Sequence, residues 1–180
     1  MTCVALLRGI NVGGKSMVPM RDLKDVFEQL GLRGVTTYIN SGNVIFNSPV
    51  APARKLEASI EKALEKRFGF PIRVVVKTLP EMKRIATAMP KEWDDAAKWR
   101  CNVIFLSHRI DKPSIMKELP VNPAIETLQY RKGALYWAVT WKDRAKSKLA
   151  KIIRLPIYKE MTIRNVNTTR KIYELMRDAP

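Results

Sequence analysis

Apolar positions in the first half of the chain alternate between the two-residue period of strands and the longer period of helices. In the segment 19–30, Leu23, Val26 and Phe27 share one helical face, and Gly31 follows as a stop signal. Periods of this kind predict helices over 19–30, 52–68 and 80–89. The predicted strands are 4–7, 35–40, 43–47 and 72–76, with a hairpin turn at Ser41-Gly42.

The second half of the chain repeats this order of elements. Its pattern predicts strands over 102–106, 126–130, 134–140 and 160–164, with a hairpin turn at Lys132-Gly133. It predicts helices over 113–119, 143–155 and 167–176. Each half therefore has the order β-α-β-β-α-β-α, whose first six elements are the ferredoxin-like arrangement. The sequence predicts an α+β protein, a tandem pair of ferredoxin-like units (βαββαβ plus a trailing helix) over residues 1–90 and 91–180, related by internal duplication.

A segment directly after the first predicted strand, 9–16, matches the phosphate-loop pattern G-x-x-x-x-G-K-[ST]. In a true phosphate loop the Lys and Ser lie in the first turn of a helix. Here Pro19 follows soon after Lys15, and a proline so deep in a helix would remove a donor and clash with the preceding turn. We therefore expect the helix to begin near Pro19 and interpret the match as accidental.

The same loop is nevertheless predicted to lie beside the first hairpin. In a ferredoxin-like sheet the first two strands run parallel, so the loop after the first and the hairpin after the second emerge at one edge. Glycines there would allow a ligand to approach the backbone, and basic residues would supply charge for a phosphate or carboxylate. The predicted ligand-binding residues are Arg8, Asn11, Gly13, Gly14, Lys15, Asn40, Ser41 and Asn43. In the alternative interpretation these glycines and asparagines serve only as turn residues.

A second polar segment follows the last predicted strand. It adds four predicted ligand-binding residues, Arg164, Asn165, Asn167 and Thr168. We predict Asn167 as the N-cap of the last helix, a role typical of asparagine. A helix N-terminus can also bind an anion, so capping and ligand binding are compatible here.

Charge narrows the choice of partner. The chain has 33 Lys or Arg and 17 Asp or Glu, which gives a formal net charge of +16. A surface this basic attracts polyanions, so the expected partners are nucleic acid or a phosphorylated small molecule. The predicted helix 143–155 would place Arg144, Lys148 and Lys151 on one face, suited to a phosphate backbone. Alternatively, the charge only aids solubility.

Other classes of protein are disfavoured. No apolar run is long enough for a membrane helix and no signal peptide is evident, so we expect a cytoplasmic protein without a membrane partner. Cys3 and Cys101 form no C-x-x-C pair, which argues against a disulfide framework or a zinc site. Catalytic residues do not stand out, so we expect no cofactor or metal, and both enzymatic activity and oligomeric state stay open.

Three segments together resemble the signature of a bacterial family known as domain of unknown function 1697. They are 6–15 with 18–20, 37–46 and 161–168, although that family usually has Trp where this chain has Val166. The resemblance implies a tandem of ferredoxin-like units and no established activity. Three functions remain open: binding of a phosphate-bearing ligand or nucleic acid at the edge formed by 8–15 and 40–43, catalysis on an anionic metabolite at that edge, or binding of a partner without a small ligand.

Overall fold

The computed structural model describes residues 1–14, 16–49, 53–90, 93 and 98–179, and the chain divides into two compact units. Unit 1 consists of Met1–Lys83 with Lys171–Pro180, and unit 2 of Arg84–Arg170. The molecule is a mixed α+β protein with two four-stranded antiparallel sheets and helices. The division into domains 1–90 and 91–180 stays a prediction.

The first half of the chain contains the seven predicted elements with slightly shifted ends. They are β1 (Thr2–Leu7), α1 (Met20–Gln29), β2 (Arg33–Tyr38), β3 (Asn43–Asn47), α2 (Ala53–Phe68), β4 (Val74–Thr78) and α3 (Leu79–Thr87). The connection between β2 and β3 spans 39–42, so the predicted two-residue turn is wrong. Because α1 begins at Met20 with Pro19 as its N-cap residue, the first helix does not follow Gly14 directly, and the phosphate-loop geometry is excluded.

The sheet of unit 1 brings the predicted edge together. Its strand order is β2-β3-β1-β4. Since β3 is antiparallel to both β1 and β2, those two strands are parallel and their C-terminal ends lie at the same edge. Apolar residues of α1 and α2 pack on one sheet face, where the rings of Phe27 and Phe46 meet edge-on with centroids 5.4 Å apart.

The second half of the chain contains four strands and one long helix among its described residues. They are β5 (Trp99–Leu106), β6 (Glu126–Arg131), β7 (Ala134–Thr140), β8 (Met161–Asn165) and α4 (Val166–Arg177), with the sheet order β6-β7-β5-β8. The hairpin turn at Lys132-Gly133 is confirmed. Both cysteines are free and buried. Among the described helices, none has the length and apolar character that spanning a bilayer requires.

The predicted helix over 143–155 is wrong. This part of the chain forms short 3₁₀ helices at Arg144–Lys146, Leu149–Arg154 and Pro156–Glu160. The cause is Glu126, whose carboxylate accepts the backbone N–H groups of Lys148 and Leu149 at 3.2 and 3.3 Å, and the hydroxyl of Ser147. Donors held by a carboxylate on β6 are not available to build an α-helix. The predicted row of Arg144, Lys148 and Lys151 is therefore not the face of an α-helix.

Glu126 is one of the most buried charged residues of unit 2, with 3% of its surface exposed. Its carboxylate also accepts the Asn122 N–H at 2.8 Å and the Trp137 Nε1–H at 3.2 Å. Burial acts to raise the pKa of Glu126, but hydrogen bonds from Ser147, Asn122, Leu149 and Trp137 lower it overall. The carboxylate therefore stays ionised at neutral pH and organises the irregular segment.

Replacing Glu126 with glutamine should destabilise the protein. Glutamine has a similar size, but its NH₂ group would face donors that the carboxylate now accepts. We expect Glu126→Gln to lower the free energy of unfolding by about 3 kcal/mol at pH 7. The control Glu118→Gln, at an exposed site in the same unit, should cost less than about 0.5 kcal/mol. Urea denaturation measures both.

The effect of Glu126→Gln should also depend on pH. The pKa of Glu126 is lowered by folding, so the stabilisation from its ionised form is complete above the ordinary value of 4.5 and is lost as the pH falls through the folded pKa. The difference in unfolding free energy between the native protein and Glu126→Gln should therefore shrink between pH 6 and pH 3. A difference that stays constant over this range would contradict the role given to the carboxylate.

Candidate functional site

The side chain of Asn11 joins the loop after β1 to the hairpin tip. Its Nδ2 donates to the carbonyl oxygens of Val18 at 3.0 Å and Asn40 at 2.9 Å, and its Oδ1 accepts the Val18 N–H at 2.7 Å. The Leu7 N–H also donates to the Gly42 carbonyl at 2.8 Å, which ties the end of β1 to the same tip. The predicted proximity of loop and hairpin is confirmed.

A second asparagine shapes the hairpin from inside. Asn43 is fully buried, and its Nδ2 donates to the Tyr38 carbonyl at 2.9 Å and to Ser41 Oγ at 3.1 Å. Through these hydrogen bonds Asn11 and Asn43 stabilise the loop and the hairpin, as the alternative interpretation of them as turn residues predicts. Direct contact of either side chain, or of Asn40 and Ser41, with a ligand stays a prediction.

The loop itself presents open backbone to solvent. Gly13 and Gly14 have φ values of 58° and 72°, and nothing lies within 4 Å of a Cβ built at either position. The Asn11 N–H donates to the Ser16 carbonyl at 3.1 Å, which closes the loop at its base. Turns of this kind present backbone N–H groups to an anion. Lys15, predicted to add a charge here, lies outside the described residues.

The surroundings of this loop are partly cationic and partly apolar. Arg8 follows β1 directly, is half-buried, and fixes its backbone by donating its N–H to the Arg73 carbonyl at 2.9 Å. Val12, Met17 and Ile39 are exposed apolar residues on the loop and hairpin, which sequence patterns did not single out. The edge of unit 1 therefore combines open backbone and a cation with an apolar rim.

The second predicted set lies in unit 2, where strand alternation separates its members. Arg164 is buried on β8 and donates to Thr162 Oγ1 and the Ile163 carbonyl, both at 2.9 Å. Burial lowers the pKa of Arg164 to about 10, so its guanidinium is still protonated at neutral pH. Asn165 is the next residue along the strand, so its side chain points to the other sheet face.

The N-cap prediction for the last helix is wrong by two residues. Since α4 begins at Val166, Asn167 lies within its first turn. The cap is Asn165, whose Oδ1 accepts the Thr168 N–H at 2.7 Å. Ligand binding by Asn165, Asn167 or Thr168 stays a prediction.

Asn165 and Asn167 line a cleft of about 340 Å³ in unit 2. Its other lining residues include Trp99, Arg100, Asn102 and Trp141. Sequence reasoning missed these four, although Asn102 was visible as a polar residue in the apolar run 101–106. A polar residue at a strand position that should be buried is the signal that could have identified this cleft.

The close packing of the hairpin tip can be tested at Gly42. Its φ is 76°, and a Cβ there would lie 2.7 Å from Ile10 Cδ1 and 2.8 Å from Leu7 Cβ. We expect Gly42→Ala to lower the free energy of unfolding by about 3 kcal/mol, from backbone strain and overpacking together. Gly31→Ala is the matched control, because Gly31 has a φ of 77° with nothing within 4 Å; it should cost about 1 kcal/mol. Equal losses would contradict the close contact.

Comparison with known proteins gives a family and no activity. None of the curated proteins matches the chain. Among solved structures, it is similar to the conserved bacterial protein SP0830 from Streptococcus pneumoniae, with a TM-score of 0.83 and 27% sequence identity over 97% of this chain and 98% of that one. The family model described as Protein of unknown function (DUF1697) matches residues 1–136. The chain therefore belongs to the DUF1697 family of proteins of unknown function.

Proposed function

We propose that the edge of unit 1 binds an anionic, phosphate-bearing ligand through the backbone at Gly13 and Gly14. The observation that carries this proposal is the open left-handed backbone of these two glycines, in a loop that Asn11 fixes to the hairpin. A loop held in one conformation before binding loses little entropy when the ligand arrives. Backbone N–H groups and a nearby cation suit phosphate oxygens.

Electrostatics favours the same class of ligand. Arg8 stands at the start of the loop, and the net charge of +16 makes encounter with anions favourable over long distances. The exposed side chains of Val12, Met17 and Ile39 would contact an apolar part of the ligand. The proposed ligand is therefore a phosphate ester, in which the phosphate group lies at the glycines.

The test is an NMR titration of the ¹⁵N-labelled protein with sodium pyrophosphate at constant ionic strength. The amide signals of Gly13 and Gly14 should shift and saturate. Those of Gly31 and Gly69 should not move, although these glycines are also left-handed and open. Unmoved signals at Gly13 and Gly14 would sink the proposal.

A pair of charge variants separates a local site from general attraction. Arg8→Gln should weaken pyrophosphate binding about tenfold, the value of one charge-assisted hydrogen bond. Arg33→Gln removes the same charge at the start of β2, at the opposite edge of the sheet, and should change the affinity less than twofold. Equal weakening by the two variants would mean that only net charge matters.

A nucleic acid is the second candidate, and the net charge alone favours it. Its phosphates would occupy the same loop, but binding would then fall steeply between 50 and 200 mM salt. Mobility shifts with single-stranded RNA and duplex DNA at both salt concentrations test this version. Pyrophosphate binding without any shift at 50 mM salt would restrict the ligand to small molecules.

We propose that each unit is ferredoxin-like and that the two arose by duplication, because the strand orders β2-β3-β1-β4 and β6-β7-β5-β8 correspond position by position. We also propose a cytoplasmic location, since free buried thiols at Cys3 and Cys101 suit a reducing compartment.

A further inference from the structure

The side-chain amide of Asn102 is buried in unit 2. Asn102 lies on β5 with 7% of its surface exposed, and its buried Nδ2 donates no hydrogen bond to any described residue. Buried polar groups are nearly always hydrogen-bonded, because an unpaired buried donor destabilises the fold. Because Asn102 also lines a cleft, a turn of its side chain toward that cleft would bring the covered donor to a molecule from outside the chain.

The amide belongs to the polar end of a sheet face that is otherwise apolar. Ile104 and Leu106 share this face with Asn102 and belong to the core of unit 2. The register places Asn165 of β8 directly opposite Asn102, and Arg100 is two residues before it on the same face. The cleft of about 340 Å³ opens where the apolar core ends. Asn102 therefore lines a space large enough for a small ligand.

Three tryptophans line this cleft, Trp93, Trp99 and Trp141, and Arg100 is the cation of its lining. Trp99 and Trp141 line it, and indole faces are surfaces on which planar rings stack. Lys98 Nζ lies 5.4 Å from the ring centroid of Trp99, and Arg144 Cζ lies 5.7 Å from that of Trp141. With Arg100 in the lining, the cleft combines aromatic surface with positive charge.

The first turn of α4 completes the cleft. Val166 and Asn167 line it, and as the first residues of a 12-residue helix their N–H groups have no acceptor within the helix. Asn165 already accepts the third N–H of the turn, that of Thr168. Helix N-termini stabilise bound anions, above all phosphate.

We propose that this cleft is a second site, which binds a 5′-nucleoside monophosphate. The base stacks on the indoles and accepts a hydrogen bond from Asn102, while the phosphate lies at the start of α4 near Arg100. Asn102, Arg100 and the start of α4 then each meet a matching group of one ligand. The site lies within unit 2, and it does not depend on the loop proposed for unit 1.

The experiment is a titration of the full chain with AMP and UMP, followed through the indole Nε1–H signals. Those of Trp99 and Trp141 should shift and saturate, while the backbone amide signal of Gly133, which donates to Asp111 Oδ1 at 2.8 Å at the opposite end of β7, should stay. Ribose 5-phosphate and adenosine, which lack one half of the ligand, should bind at least tenfold more weakly than AMP.

Several outcomes would overturn the site. In the first, millimolar AMP or UMP does not shift the indole signals of Trp99 and Trp141. In the second, ribose 5-phosphate binds as tightly as AMP. In the third, single-stranded RNA binds and mononucleotides do not. Shifts confined to the amides of Gly13 and Gly14 would also overturn it, while supporting the proposal for unit 1.

The variant Asn102→Leu distinguishes ligand binding by Asn102 from a role in stabilising the fold. Leucine has a similar size and brings no unpaired polar group, so the midpoint of thermal unfolding should rise by about 3 °C. Loss of the donor should weaken AMP binding about tenfold. A lower midpoint would show that Asn102 stabilises the fold, and unchanged AMP affinity would show that it does not contact the ligand. Either result contradicts the proposal.

Arg100→Gln tests the charge of the cleft independently of the buried amide. It should weaken AMP binding about tenfold. Arg131→Gln removes an exposed arginine from β6 in the same unit, and it should change the affinity less than twofold. Equal effects of these two variants would overturn the placement of the phosphate beside Arg100.

Discussion

The carboxamide of Asn11 is the constraint on which the edge of unit 1 depends. It satisfies the N–H and the carbonyl of Val18 together with the carbonyl of Asn40. Backbone polar groups need partners, and a loop without regular structure cannot supply them all from its own backbone. One side chain therefore fixes the loop to the hairpin, and the open backbone at Gly13 and Gly14 keeps a defined position because its base is closed.

In unit 2, Glu126 is the side chain that satisfies backbone groups of an irregular segment. Its ionised carboxylate accepts hydrogen bonds from backbone N–H groups that would otherwise need acceptors within a helix. In both units a polar side chain replaces backbone pairing where the chain leaves its sheet. Asn102 differs from both, because its buried donor has no partner among the described residues. This contrast separates the residues that build the fold from the one that we propose to bind a ligand.

The regular elements could be predicted because their information is local. Leu23, Val26 and Phe27 repeat with the helical period, and they are buried against the sheet of unit 1 as that period requires. The wrong predictions concern segments whose conformation depends on residues distant in the chain. The segment 143–155 has a helical pattern, but its conformation is decided by Glu126 on a distant strand. Likewise, Asn102 is a polar residue within the apolar run 101–106, but only the sheet register places Asn165 opposite it.

Hydrogen exchange at the Val18 amide measures how firmly Asn11 holds this loop, since this N–H donates to Asn11 Oδ1 at 2.7 Å. The variant Asn11→Gly removes the carboxamide and still tolerates the φ of 55° at this position. The Val18 amide should exchange slowly in the native protein and near the rate of an unstructured amide in the variant. The Leu23 amide, which donates to the Pro19 carbonyl at 3.0 Å, should be equally protected in both. Equal protection of Val18 in the two proteins would show that the Asn11 carboxamide does not hold this loop.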